Sequence, residues 1–295
     1  MNIYKLKPES TRFREISVQN YEEQTLKRAP YYQIGSNGKM RHYAVCPACD
    51  NPIQIIGIGE LPKNTDKPYG KHFVHSVKGV AEYSQAAFDA CPLAVRNLVQ
   101  PAVNDYRPGI DPIVVKIIDI LRREFDRIAM IFREDTGIVM TEGLARNMLR
   151  NYLAEEGYLY RRASLINIPW VFALKSDAQS LVGRIIYNED LKQALNRIPN
   201  ATFSRDQLVK RGNQFLNVNF SFMHHRIALQ GNSVQESMRF TVWHVHNNDN
   251  DIVYEKNITF NYERFQYLMD IPEGMGARKT ELLNIAAEML ERVGC

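Results

Sequence analysis

The apolar positions of this chain follow two different periods. Between 113 and 132 they recur at 114, 117, 118, 121, 125, 128 and 132, one stripe of a helix with 3.6 residues per turn. Asp111 and Pro112 supply an N-cap and a first-turn proline. Thr141 caps a second predicted helix, with Leu144, Met148, Tyr152 and Leu153 on one face and Gly157 at its end. Residues 158–162 follow as a predicted strand, and a third helix is expected over 178–195. After Pro199 the period becomes two. Leu216, Val218, Phe220 and Phe222 share one face, and further strands are expected over 240–246 and 252–260. The polar run 247–251 joins these last two, so the pattern predicts an antiparallel meander. Helices near 262–269 and 278–293 close the chain.

The first hundred residues are less periodic. Basic and aromatic residues interleave (Lys27, Arg28, Tyr31, Tyr32, Lys39, Arg41, His42, Tyr43) around a Gly35-Ser36-Asn37-Gly38 turn. Its flanks, 31–34 and 42–45, read as a hairpin. A short strand is expected over 53–58, a loop over 60–71 and a helix over 80–90, with Cys91 at or just past the helix end. Pro101, Pro108, Gly109 and Pro112 mark a boundary. The expected class is α+β with three domains: a zinc-binding, treble-clef-like module with an N-terminal arm over 1–106, a helical, winged-helix-like domain over 107–200, and a mixed domain over 201–295 carrying the meander and helices.

One constellation has a specific chemical meaning. Cys46 and Cys49 form a Cys-Pro-Ala-Cys knuckle, His72 and His75 follow as His-Phe-Val-His, and Cys91 precedes a proline. A tetrahedral Zn2+ site needs four such ligands. Two sets compete, Cys2His2 from Cys46, Cys49, His72 and His75, and Cys3His from Cys46, Cys49, Cys91 and one histidine. The second is preferred, because a free thiol beside the knuckle would compete for the metal, with His72 taken ahead of His75. A cytidine-deaminase-type site would want His-x-Glu ahead of Pro-Cys-x-x-Cys. That order is absent, so the expected Zn2+ is structural.

Cys46, Cys49, His72, Phe73 and His75 give residues 43–94 a resemblance to the CoiA-like competence family and to zinc-finger proteins of bacterial mobile elements. The resemblance implies DNA processing and an associated nuclease-like domain. The Asp…Glu-x-Lys constellation of such a nuclease is not found, since Glu255-Lys256 lacks the spacer and Glu281 has no lysine two residues on. Residues 113–162 resemble a winged helix-turn-helix. By that resemblance Arg146, Asn147 and Arg150 face outward on a recognition helix, and Arg161 and Arg162 touch phosphates.

Charge modifies this picture modestly. The chain of 295 residues carries a net +4, divided as +3 over 1–106, +4 over 107–211 and −3 over 212–295. A basic front with an acidic tail permits a nucleic-acid partner; a protein partner of a scaffold is the alternative. No apolar run is long enough for a membrane span. The start lacks the apolar core of a secretory signal, so the expected location is cytoplasmic. P-loop, dinucleotide-binding and Gly-x-Ser-x-Gly motifs are absent, so no nucleotide cofactor is indicated. His224, His225, His244 and His246 are a further candidate set, for a metal-dependent hydrolase or nuclease; the competing reading is a polar strand edge. Cys295 reads as a bystander.

Overall fold

The computed structural model describes all residues except 11, 36, 64, 95–104, 214, 231–232, 247–248, 273, 292 and 294–295, so Cys295, Pro101 and part of the 247–251 turn lie outside the described residues. The described residues form a mixed α+β structure with antiparallel sheets and eight α-helices. The chain divides into two compact units. One holds Met1–Lys116, Arg161–Leu165 and Ile227–Gln235; the other holds Ile117–Tyr160, Ile166–Arg226 and Glu236–Cys295.

The first unit is built on a sheet of four strands in the order β3 (Tyr32–Ile34), β4 (Met40–Val45), β5 (Pro52–Ile56), β6 (Tyr69–His72). A short pair, β1 (Ile3–Tyr4) with β2 (Arg14–Glu15), and helix α1 (Val18–Thr25) precede it. The expected hairpin is present, with Tyr32 opposite His42 and Gly38 in the turn at φ 73°. Tyr21 is fully buried, and its hydroxyl donates to Tyr43 O at 2.8 Å. The loop expected over 60–71 ends in strand β6. Its Tyr-Gly-Lys-His sequence has no apolar alternation, and its form comes from the ladder with Ile53–Ile56. The helix expected over 80–90 is shorter: α2 is Gln85–Asp89, and Val80 and Ala81 belong to a turn bridged at Val77–Ala81. There they pack with Tyr43 and Val45.

The long stripe forms α3 (Pro112–Thr136), which is kinked at Glu124, where φ −122° and ψ 18° leave the helical region; its first residues belong to the first unit and the rest to the second. Asp111 Oδ1 accepts from Ile113 N and Val114 N, both at 2.9 Å, as an N-cap should. Helix α4 (Glu142–Ala154) is capped by Thr141. The strand expected over 158–162 is not formed. A 3-10 turn, Gly157–Leu159, stands there; Glu156 ahead of it takes φ 49°, and Gly157 leaves no room for a Cβ against the Tyr152 ring. Of the helix expected over 178–195, only α6 (Glu189–Leu195) exists; strand β7 (Gln179–Ser180) and turns precede it. Helix α5 (Ile168–Leu174) has no polar face and gave no periodic signal.

The meander forms in the strand order β12 (Asp249–Thr259), β11 (Ser233–His246), β10 (Val218–Gln230), β7. Val218, Phe220 and Phe222 are buried as the alternation required. A further hairpin, β8 (Ala201–Ser204) and β9 (Gln207–Lys210), turns through Arg205 and Asp206, both at positive φ. Helices α7 (Tyr262–Asp270) and α8 (Thr280–Leu290) complete the unit. No helix among the described residues is long and apolar enough to cross a membrane.

Candidate metal centre

The β4–β5 hairpin carries the knuckle at its tip. Val45 pairs with Pro52, and the residues between them form a tight loop in which Asp50 N donates to Cys46 O at 3.0 Å and Cys46 N to Asn51 O at 2.8 Å. Asp50 takes the left-handed conformation, φ 61°, that closes this loop. Strand β6 pairs with β5 so that His72 lies opposite Ile53, beside the knuckle. Cys91 comes from the other side, just past the end of α2, where its N–H bonds Phe88 O at 3.1 Å. The Phe88 ring meets the His72 imidazole edge-on, with centroids 5.1 Å apart.

These elements bring four ligand atoms within 4.8 Å of one another, from Cys46, Cys49, His72 and Cys91, and the group can hold a metal ion. Cys46 Sγ and Cys91 Sγ are 3.7 Å apart, far beyond a disulfide bond. His72 Nε2 lies 3.4 Å from Cys49 Sγ and 3.5 Å from Cys91 Sγ. The three sulfurs belong to buried residues. Burial pushes the Cys46 and Cys91 thiols above the ordinary range. Hydrogen bonds from the Cys46 and Cys91 thiols, and the nearby His72, hold Cys49 below it. Without a cation, so dry a cluster accommodates one thiolate at the expense of the other two; a bound dication removes that conflict. His75 is exposed, its ring against Phe73, and is not one of the four.

Residues that sequence reasoning missed support the centre. Asn51 is fully buried and donates to Cys49 Sγ at 3.4 Å. Asp50 accepts from two lysines, Lys5 at 2.6 Å and Lys116 at 2.8 Å. Lys116 also reaches the carbonyls of Pro47 and Ala48 within the knuckle. Asn51, two residues past the second cysteine in a turn, carried a local signal. Lys5 and Lys116 carried none, because long-range folding alone brings them there.

The arginines of the winged-helix resemblance fall in both units. On α4, Arg146 bonds Glu288 at 2.9 Å and Arg150 bonds Asn147 Oδ1 at 3.1 Å; Asn147 and Arg150 are exposed. Arg161 and Arg162 lie in a turn of the first unit, where Arg161 N bonds Asp105 O.

The C-terminal histidines do not form a metal group among the described residues. His224 takes positive φ and stays exposed, which turns His225 inward. His225 Nε2 lies 2.5 Å from the buried Glu236 carboxylate, and His225 Nδ1 lies 3.1 Å from the Tyr160 hydroxyl. Asn167 and Tyr262 also donate to Glu236, at 3.0 and 2.7 Å. His244 and His246 stack on one strand face, opposite Asp251 and Asp249.

No protein-family model, no curated protein and no solved structure matches this chain.

Proposed function

We propose that Cys46, Cys49, His72 and Cys91 hold one structural Zn2+, and that the protein is a zinc-stabilised nucleic-acid-binding protein. Zn–S bonds of about 2.3 Å and a Zn–N bond of about 2.05 Å at tetrahedral angles put sulfurs about 3.8 Å apart and sulfur from nitrogen about 3.6 Å. The separations of 3.7, 3.4 and 3.5 Å fit that solid. Four protein ligands leave no open position for a reacting water, so the ion would staple three segments of the first unit.

The nucleic-acid reading is carried by one observation. Around the β3–β4 hairpin the side chains of Arg28, Lys39, Arg41 and Lys78 engage no acid among the described residues. Lys39 directly precedes β4, Arg41 pairs with Gln33, and Gln33 reaches the Lys78 carbonyl. Unpaired cations of this kind bind phosphates by releasing counterions. The resemblance of residues 43–94 to CoiA-like and mobile-element zinc-finger proteins favours a bacterial DNA-processing, mobile-element or defence setting. The outward arginines of α4 are a second candidate contact.

Metal analysis of the purified chain tests the first claim: one equivalent of zinc is expected, and its retention by Cys91→Ser would overturn the ligand set. Filter-binding titrations at two salt concentrations test the second. Affinity should fall with salt, and Lys39→Ala and Arg41→Ala should each lower the salt slope by about one. Affinity that ignores salt would end the reading. If Arg146→Ala and Arg150→Ala carry the slope change instead, the contact lies on α4.

A protein partner is the second reading, favoured by Ile34 and Met40, cross-strand neighbours that are 74% and 52% exposed on the same hairpin. A stoichiometric partner captured free of nucleic acid would support it.

A further inference from the structure

A cavity of about 320 Å3 opens in the first unit next to the knuckle. Its lining includes the buried Tyr4 and Phe13 and the half-buried Tyr31, and four cations line it: Lys5, Lys7, Arg12 and Arg14. No carboxylate is in the lining; Glu9 acts on Tyr31 electrostatically from outside it.

The cations differ in availability. Lys5 is committed, its ammonium bonding Asp50 at 2.6 Å, Ser10 O at 3.0 Å and Pro8 O. Its backbone pairs with Val45, one residue before Cys46, so it ties this part of the cavity lining to the knuckle. Arg14 stands opposite Tyr4 in the β1–β2 pair. Lys7 and Arg12 are exposed, and their side chains engage no acid, acceptor or ring among the described residues.

We propose that this cavity binds a nucleotide, its phosphate held by Lys7 and Arg12 and its base placed against the half-buried Tyr31 ring. An uncompensated positive rim selects an anion, and the planar guanidinium of Arg12 matches a phosphate edge in two-point contact. The Tyr31 ring offers a planar base the stacking that nucleic-acid-binding proteins use. The volume sits at the small end of ligand pockets, which suits one nucleotide. A fatty acid would need one cation and an aliphatic tunnel, whereas Leu6 is the one aliphatic apolar residue in this lining. The inference goes beyond the hairpin reading, since it stands on different residues. A free nucleotide and the terminal nucleotide of a strand share the required chemistry.

Calorimetry on the metal-loaded full chain tests it, with inorganic phosphate, an uncharged nucleoside and a nucleoside 5′-monophosphate as probes. The monophosphate should bind more tightly than either of the others. Lys7→Ala with Arg12→Ala should weaken it about tenfold or more, leaving metal content and melting temperature unchanged because both side chains are exposed. An oligonucleotide with and without a 5′-phosphate then separates the sources. A preference for the phosphorylated end, lost in the double variant, identifies a strand terminus; mononucleotide binding without that preference identifies a free nucleotide. No monophosphate binding at millimolar concentration, an unaffected double variant, or tighter binding of a medium-chain fatty acid would each overturn the proposal. Failure of the hairpin reading shows separately, as loss of salt-dependent oligonucleotide affinity with mononucleotide binding intact.

Discussion

The side chain of Asn51 and the main chain of Ser84 hold each other by two hydrogen bonds. Ser84 N donates to Asn51 Oδ1 at 2.6 Å, and Asn51 Nδ2 donates to Ser84 O at 3.1 Å. Ser84 is the N-cap of α2, accepting from Ala87 N, and the far end of α2 delivers Cys91. The same Asn51 amide donates to Cys49 Sγ. One buried side chain therefore ties the knuckle to the segment carrying Cys91.

Asn51→Leu keeps the volume and removes every one of these bonds. It should destabilise the protein by about 2 kcal/mol, because Ser84 N and O lose their buried partner. Metal affinity should fall about 10- to 100-fold, as it does when outer-shell partners of metal ligands are removed. Chelator competition and thermal melting read the two effects; wild-type affinity in the variant would show that Asn51 does not orient the site.

The two histidines should separate cleanly. His72→Ala should lose the bound equivalent of metal, while His75→Ala, at an exposed position outside the four-ligand group, should keep it. Metal stoichiometry after gel filtration is sufficient. The reverse result would mean that β6 pairs with β5 in another register in the loaded protein.

Asp135 gives a pH signature in the second unit. Burial raises its carboxyl from the ordinary 3.8 to about 6, opposed by the Trp170 N–H at 2.7 Å and by the charge of Lys256. The folded state thus binds this proton more tightly than the unfolded chain. The stabilisation is complete below the unfolded value and is lost as pH rises through the folded one. Asp135→Asn keeps an acceptor for Trp170 and removes the buried charge. It should be more stable than wild type by on the order of 2 kcal/mol at neutral pH and equal to it near pH 4. Urea denaturation at both pH values decides; an equal gain at both would exclude ionisation as the cause.

Glu236 is buried and accepts from Asn167 and Tyr262 beside His225, whose ring stacks on Phe260 with centroids 5.4 Å apart. Glu236→Ala strands three polar groups and should cost about 3 kcal/mol. Arg146→Ala, at an exposed ion pair, should cost less than about 1 kcal/mol. Urea midpoints at unchanged m-value compare them. A Glu236 loss as small as that of Arg146 would mean the cluster is hydrated.

The stripe from 114 to 132, the Asp111 and Thr141 caps, the alternation through Phe220 and Phe222 and the knuckle were all legible in the sequence, because each depends on residues within a few positions of one another. Tertiary structure decided the rest. Helix α5 is buried almost all round, so no polar face marked it. The turn at 157–162 stands in place of a strand, with Glu156 at positive φ and Gly157 fitted tightly against the Tyr152 ring. His225 points inward because His224 breaks the alternation with a positive φ. At the candidate metal site the sequence determined the cysteine and histidine types and the knuckle. The pairing of β6 with β5 chose His72 over His75, and the Asn51–Ser84 clasp brought Cys91 across. Periodicity and spacing act along the chain, whereas a four-point coordination site is closed by strand register and long-range hydrogen bonds.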